Sequence, residues 1–472
     1  MMSDLEALLD AARLQLPENC RVRGTGTASD AHEVELTGSD PVYATAFPIG
    51  EAAAASLAGG GAAAARLFAL RGGPTQNIRV DVTAAAASLL GFVFQSLEGG
   101  GEVSPQLERS QLAVSAIYPT VDDRFIHLHG GFQHLRDGTL ELLECSDDAE
   151  SIASAVRRWK AQDLEDALAA RNLCGAMIRS PEQWAEHSQG RAIAPLAAIE
   201  IEQVGEAPVE PLPDGPRPLS GVRNLDLTRV LAGPTSGRTL AQYGADVLRI
   251  SSPNLPSIEP FVVDTGHGKR SAFLDLNRSQ DLERLRTLAR EADIVTDGYR
   301  NGGLAGKGLA AQDLAALRPG IVVVALSCYG DVGPWANRRG WEQLAQSASG
   351  IAHLVGGEGP PQLLPAAATD FTTGYLAAWG AMEALHRRAT VGGSWLVRVS
   401  LCQTAAWLLR LGATCSPDSA SGLSDIAALQ QVTETPHGML RHLRPAVEMS
   451  ATPVAWDRPT VPLGHDAAEW LA

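Results

Sequence analysis

Between Gly221 and Gly330 short strand-like runs alternate with amphipathic helical ones, and this alternation constrains the fold more than any other feature of the chain. "VRNLDLT" at 222–228 is followed by a helical stretch from about Ser236 to Tyr243 and then by "ADVLRI" at 245–250. Leu282, Leu285, Leu288, Ala289 and Ala292 recur at helical spacing behind Ser279, a candidate N-cap. "DIVTDGY" at 293–299 and "IVVVALSCYG" at 321–330 are again strand-like. The second is apolar throughout, as a strand covered on both faces must be. The pattern predicts an α/β fold with a doubly wound, Rossmann-like parallel sheet. Ligands of such sheets collect at the carboxyl ends of the strands, so the loops after Leu227, Ile250, Val295 and Leu326 are where chemistry is expected.

The run "EAPVEPLPDGPRP" at 206–218 holds five prolines and can continue neither a helix nor a central strand. It divides the chain into an N-terminal and a C-terminal half, and 472 residues suffice for roughly two or three domains. The expected division is a helical lead at 1–40, a first region at 41–205, the linker at 206–218, the Rossmann-like half at 219–410 and a tail at 411–472. A formal charge of −16 argues against a nucleic-acid or anionic-membrane partner but leaves room for a small anion in a local basic pocket. The six cysteines are scattered, as suits a reducing compartment, and "MMSDLEALLDAARLQL" lacks the basic start and apolar core of a signal peptide. Two alanine-rich runs, 52–65 and 82–97, are short for a membrane span and are expected as buried helices. A cytoplasmic protein is the expectation.

One element occurs twice. "TDFTTG" at 369–374 and "TAFPIG" at 45–50 are each followed by a small-residue helix, a Gly-Gly turn and a strand, "LVRVS" at 396–400 and "IRVDV" at 78–82. The first carries Asp370 where the second carries Ala46. An acid at a helix start is a preferred N-cap, but a carboxylate walled by Ala366–Ala368 and Phe371 is also oriented and partly desolvated, as a covalent nucleophile should be. Spacing alone leaves both readings open.

Other motifs are weaker. "GHGKRS" at 266–271 has the wrong glycine spacing for a phosphate loop and Arg270 where Ser or Thr is needed. Lys269 and Arg270, with Arg249, Arg300, Arg338 and Arg339, could still converge into a basic patch. "IHLHGGFQH" places His127 and His129 on one strand face near His134, but no further ligand stands at a convincing spacing, and no metal is expected. "ALSCYG" at 325–330 is not a nucleophile elbow, and Cys328 reads as a packing residue.

Taken in order, "RPLSGVRNLDLTRVLAGPTSGRTLAQYGADVLRISSP", "GKRSAFLDLN", "ADIVTDGYRNGGLAGKGL", "LRPGIVVVALSCYGDVGPW", "RRGWEQLAQSASG" and "ATDFTTGYLAAWGAMEALHRRATVGGSWLVRVSL" closely resemble successive blocks of the family III CoA-transferases, over residues 217 to about 410. The N-terminal half resembles the rear portion and smaller domain of the same family, through 44–95, "DDRFIHLHGGFQHL" and "DLEDALAARNLCGAMIRSPEQWAEHSQGRA". The chain thus resembles two family units fused in an order that is in effect a circular permutation. The resemblance implies that Asp370 attacks an acyl-CoA carbonyl, that CoA then forms an aspartyl thioester, and that a carboxylic acid takes the CoA over. It implies a CoA site at Arg229 and Val230, Leu274 to Asn277, Gly298, Tyr299 and Arg300, and Arg339, Gly340 and Trp341, with Lys269 and Arg270 among the basic residues facing the phosphates. Leu274 and Tyr299 would serve the adenine, and Glu342 matches an acid near the nucleophile of formyl-CoA transferase. Gly306 stands where many members carry arginine, with Lys307 adjacent, and a glycine-rich lid is not evident. Acyl-CoA and a carboxylic acid are the expected partners and a homodimer the expected assembly. The family also holds 2-methylacyl-CoA racemases, but their histidine base is replaced by Trp341. A CoA-binding protein without turnover is a third reading.

Overall fold

The computed structural model describes residues 4–24, 31–99, 113–300 and 303–471. Its centre is a seven-stranded sheet built from β1 (Glu200–Gly205), β2 (Arg223–Leu227), β3 (Asp246–Ser251), β4 (Lys269–Phe273), β5 (Ile294–Asp297), β6 (Val322–Ser327) and β7 (Ser394–Ser400), in the order β4-β3-β2-β5-β6-β7-β1. All neighbours are parallel except β7 with β1. Val324 on β6 pairs with Thr296 on one side and Val397 on the other, and it is fully buried, as the unbroken apolar run 321–326 requires. The sheet is wider than the expected 221–330. It gains β7 from the repeated element and β1 from the far side of the proline run. The strand order reverses between β2 and β5, so a crevice opens at their carboxyl ends.

Two long helices fill the space beside the sheet. Ile49–Leu70 and Ala368–Val391 pack along each other, closely enough that a Cβ on Gly59 would lie 2.4 Å from the Trp379 ring. Ile49–Leu70 is long and apolar enough to cross a membrane, yet 78% of its most apolar window is buried against protein. The small residues that make its sequence look membrane-like are what permit this approach. The second alanine run is helical only over Val82–Ser88, capped by the Asp81 carboxylate. It then turns, and Gly91 sits where a Cβ would meet Asp264 at 2.5 Å.

The segment expected as a helical lead is mixed. A short helix, Leu5–Ala11, precedes parallel strands Cys20–Val22 and His32–Thr37, which join Asn77–Asp81 and Val447–Met449 in a four-stranded sheet. Residues 25–30 of that lead lie outside those described. The C-terminal stretch is no free tail: Trp456 Nε1 donates to the Arg238 carbonyl and Trp470 Nε1 to that of Leu288. Ser279 is the first residue of the helix Ser279–Arg290, not its cap, which falls on Arg278.

One hydrophobic core runs from Leu5 through Ile78 to Val397 and Trp407, so the proline run does not separate two independent cores. A second core belongs to residues 113–196. There Ile117–Pro119, Phe125–Leu128 and Gly175–Met177 form an antiparallel sheet backed by helices Gln133–Leu143, Ala149–Val156 and Ala161–Ala170. Leu344 and Ala348 from the helix Glu342–Ser349 complete it, which fixes this smaller layer over the crevice.

Candidate active site

The crevice is a cleft of about 500 Å³. Its floor is the carboxyl end of the sheet: Leu227–Gly233 after β2, Gly298–Arg300 after β5, Leu326–Tyr329 at β6 and Leu401 after β7. Its roof is Phe132, His134, Leu135 and Cys174 from the smaller layer. All four loops expected to carry chemistry therefore meet here, the one after β3 through Leu255 alone.

Asp370 opens into this cleft. The helix that carries it begins at Ala368 and its N-cap is Ala367, so Asp370 lies inside the first turn. No hydrogen bond from a described residue reaches its carboxylate, and the capping reading is therefore excluded. Burial drives its carboxyl well above the usual range, and the neighbouring Glu342 charge drives it in the same direction. The helix dipole opposes both effects at this position.

Glu342 is buried at the start of its own helix. Its Oε1 accepts from Gln346 Nε2 at 2.6 Å, from Thr369 Oγ1 at 3.0 Å and from the Thr369 backbone N–H at 3.3 Å. Burial pushes its carboxyl up to about 7 despite those bonds. Two enclosed carboxylates side by side resist ionising together, so the pair holds its proton to higher pH than an exposed acid would.

The walls are held tightly. Val230 adopts φ +69°, a conformation that is strained for a β-branched residue. A Cβ on Gly340 would stand 2.3 Å from the Cys328 sulfur. Trp341 stacks on His129 with ring centres 4.3 Å apart and meets the edge of Phe132 at 5.2 Å. His127, two residues earlier, bonds Ser347 through Nδ1 at 3.0 Å. His129 thus backs the tryptophan wall, while His127 ties its strand to the helix Glu342–Ser349.

Four cations line the cleft. Arg229 lies over the Phe132 ring at 5.0 Å, Arg300 donates to Asn172 Oδ1 at 3.0 Å, and Arg339 donates to His134 Nε2 at 3.2 Å. His134 is thereby held neutral: partial burial and the adjacent arginines lower its pKa. The fourth, Arg338, stacks on Trp335 and donates to the Glu165 carbonyl.

Of the residues expected at the site, Arg229, Val230, Tyr299, Arg300, Arg339, Gly340, Trp341, Glu342 and Asp370 converge on the cleft. Lys269, Arg270, Leu274 and Asn277 do not. Lys269 is buried on β4, where its Nζ donates to Asp226 Oδ2 at 2.7 Å and to the Pro234 carbonyl at 2.6 Å. Arg270 forks onto both oxygens of Asp246, at 3.1 and 2.9 Å. Their charges are consumed inside the fold. Leu274 is a core residue behind the sheet, and Asn277 is exposed beside Lys307, which donates to its Oδ1 at 3.3 Å. The basic patch is therefore smaller than the sequence suggests. Phe132, Leu135, Cys174 and Thr373 were not singled out, although "HGGFQH" and "NLCGAM" carry two of them.

Residues 219–422 match the family model described as CoA-transferase family III. Over 386 residues the chain is 30% identical to the acetyl-coenzyme A transferase nodX of Hypoxylon pulicicidum, covering 71% of this chain and 64% of that one. Over 376 residues it is 32% identical to an acyl-CoA transferase of Gibberella moniliformis, covering 70% and 65% respectively. A succinate–glutarate CoA-transferase of Agrobacterium fabrum is 32% identical over 182 residues, covering 34% of this chain and 46% of that one. The chain spans just under two thirds of the length of the first two relatives. With the sheet and the matched blocks together, residues 219–422 form a domain of CoA-transferase family III.

Proposed function

We propose that the protein is an enzyme that moves CoA from an acyl-CoA to a carboxylic acid, with Asp370 as the covalent nucleophile. The observation that carries this reading is that Asp370 sits in the first turn of its helix, opens into the cleft and bonds to no described residue. A capping or ion-pairing acid would be engaged. The names of the related proteins, all transferases of CoA or acyl-CoA, support the same reading.

The chemistry follows from the surroundings. The Asp370 carboxylate attacks the thioester carbonyl, the C–S bond breaks, and a mixed anhydride and CoA thiolate result. The thiolate attacks the aspartyl carbonyl, releasing the donor carboxylate and leaving an aspartyl-CoA thioester. An acceptor carboxylate then attacks that thioester, forming a second anhydride, and the thiolate attacks its acyl carbonyl to give the new acyl-CoA and free Asp370. Anhydrides hydrolyse, so the site must be dry. Trp341, Phe132, Leu135 and Leu401 wall it accordingly. Arg229, Arg300 and Arg339 form the positive rim for the CoA phosphates, and Glu342 governs the charge on Asp370.

Proton abstraction at the acyl α carbon is disfavoured. Among the described cleft residues the one histidine, His134, is held on Arg339. Both halves of a single chain wall the cleft, so a site complete within one subunit is part of this proposal.

The test is intact mass after mixing with a panel of short acyl-CoAs, followed by hydroxylamine and peptide mapping. A CoA-sized adduct, or a hydroxamate on Asp370 that Asp370→Ala lacks, is expected. Deuterium wash-in at the acyl α carbon without an adduct would sink the transferase reading.

A further inference from the structure

A small side cavity opens beside the cleft and shares Phe132, Arg229, Val230 and Leu255 with it. Its inner wall is Arg249 and Ser251, two residues apart on β3 and so on one face of that strand. Arg249 is 4% exposed, and neither its Nε nor its Nη1 has a hydrogen-bond partner among the described residues. The Ser251 hydroxyl is equally buried and unpartnered.

A guanidinium is always charged, and leaving one buried without a hydrogen-bonded counter-ion is strongly unfavourable. The carboxylates whose charge reaches Arg249 are Asp226 and Glu259, and neither hydrogen-bonds it. Asp226 is already engaged: Oδ2 accepts from Lys269 and Oδ1 from the Thr228 backbone and hydroxyl. Arg229, at the opening, adds a second positive charge. The fold has therefore built a donor-lined, cationic recess and supplied no anion for it. The recess holds about 20 Å³, against the roughly 10–15 Å³ that one water needs. It admits a single small group and nothing as large as a nucleoside.

We infer that Arg249 and Ser251 form a buried receptor for one phosphate group, which enters past Arg229 from the main cleft. A tetrahedral phosphate offers acceptors to the guanidinium edge and to a hydroxyl at once, and guanidinium–phosphate pairing is bidentate and strong. The phosphate comes either from the ADP part of CoA, which rests on the reading above, or from the free anion, which does not.

The test is titration calorimetry of the full chain with CoA, 3′-dephospho-CoA and inorganic phosphate, on wild type and Arg249→Gln. At least one of these probes is expected to bind the variant tenfold or more weakly. Loss for CoA with 3′-dephospho-CoA spared assigns the 3′-phosphate; loss for both assigns the diphosphate; loss for inorganic phosphate alone assigns a free-anion site with CoA seated elsewhere. Equal binding of all three probes to wild type and variant overturns the proposal, and so does a wild-type protein that binds none of them. A wild type that binds phosphate through Arg249 but no CoA overturns the CoA reading and leaves this site standing. If Arg249→Gln does not fold, Ser251→Val, which fills the recess and keeps the cation, is expected to give the same losses. Binding by that variant at wild-type strength would overturn the proposal equally.

Discussion

The two long helices that lie side by side in the core begin in nearly the same words, "TAFPIG" and "TDFTTG", and end in different chemistry. In the second, helix begins at Ala368, so Asp370 is lifted into the first turn and faces the cleft. In the first, Pro48 occupies the place of Thr372, and the residue before a proline is driven away from helical geometry. Helix then begins only at Ile49, and Ala46 is left outside it, its carbonyl accepting from the Cys415 N–H. A carboxylate does stand at this second start, but it comes from Asp40. Its Oδ2 accepts from the Glu51 N–H at 2.7 Å and its Oδ1 from the Val42 N–H at 3.1 Å. One acid is spent on the backbone, the other is kept free, and a proline decides which.

Exchanging these acids breaks the comparison if it is wrong. Asp370→Asn should lower CoA-transfer kcat/KM by roughly three orders of magnitude or more, as removal of a covalent nucleophile does. It should leave the melting temperature unchanged or raised, because the native carboxylate forms no cap and is destabilised by burial. A large fall in stability would return Asp370 to a structural role. Adding Ala46→Asp to that variant should restore neither turnover nor a hydroxylamine-sensitive adduct, since position 46 lies outside the helix and away from the cleft.

The opposite pattern is expected for Asp40→Ala. Loss of a side chain that holds helix-start N–H groups costs about 1–2 kcal/mol, to be read in a denaturant titration, while turnover per folded molecule is kept. A loss of turnover larger than the loss of folded protein would mean that Asp40 serves the site as well.

Much of this could be read from the chain. β2, β3, β5 and β6 were legible because their apolar runs and intervening helical spacing are local signals, and Asp370 because an acid among alanines stands out. β1 was not, and β7 was read as a strand without its place in the sheet, since strand pairing across the proline run and across a 66-residue gap from Ser327 to Ser394 leaves no local mark. The misplaced cations are more instructive. Lys269 and Arg270 sit next to each other on a strand and so point to opposite faces, and each meets a carboxylate, buried Asp226 or half-buried Asp246, that the sequence places 43 and 24 residues away. Charge in a sequence does not say whether the partner is a ligand or the fold itself. The roof residues Phe132, Leu135 and Cys174 escaped notice because their layer reaches the cleft only through tertiary packing.

The smallest effect sharpens the comparison most, because it concerns the charge state that separates Asp370 from Asp40. Glu342→Gln keeps the acceptor for Thr369 and removes the like charge beside the nucleophile. In the wild type the transfer rate should rise with pH as the pair loses its proton, with an apparent midpoint near the value of about 7 to which burial pushes Glu342. In the variant that midpoint should fall, because the Glu342 charge that raises the Asp370 carboxyl is gone. Stability must follow the same sign. Carboxyls whose folded pKa is raised favour the native state fully below their unfolded values, and that advantage is lost as pH rises through the folded ones. Wild type should therefore lose stability from about pH 4.5 toward 7, and Glu342→Gln should lose less of it. An unmoved rate profile, with the stability slope unchanged, would mean that Glu342 only braces Thr369 and that the helix start alone sets the charge on Asp370.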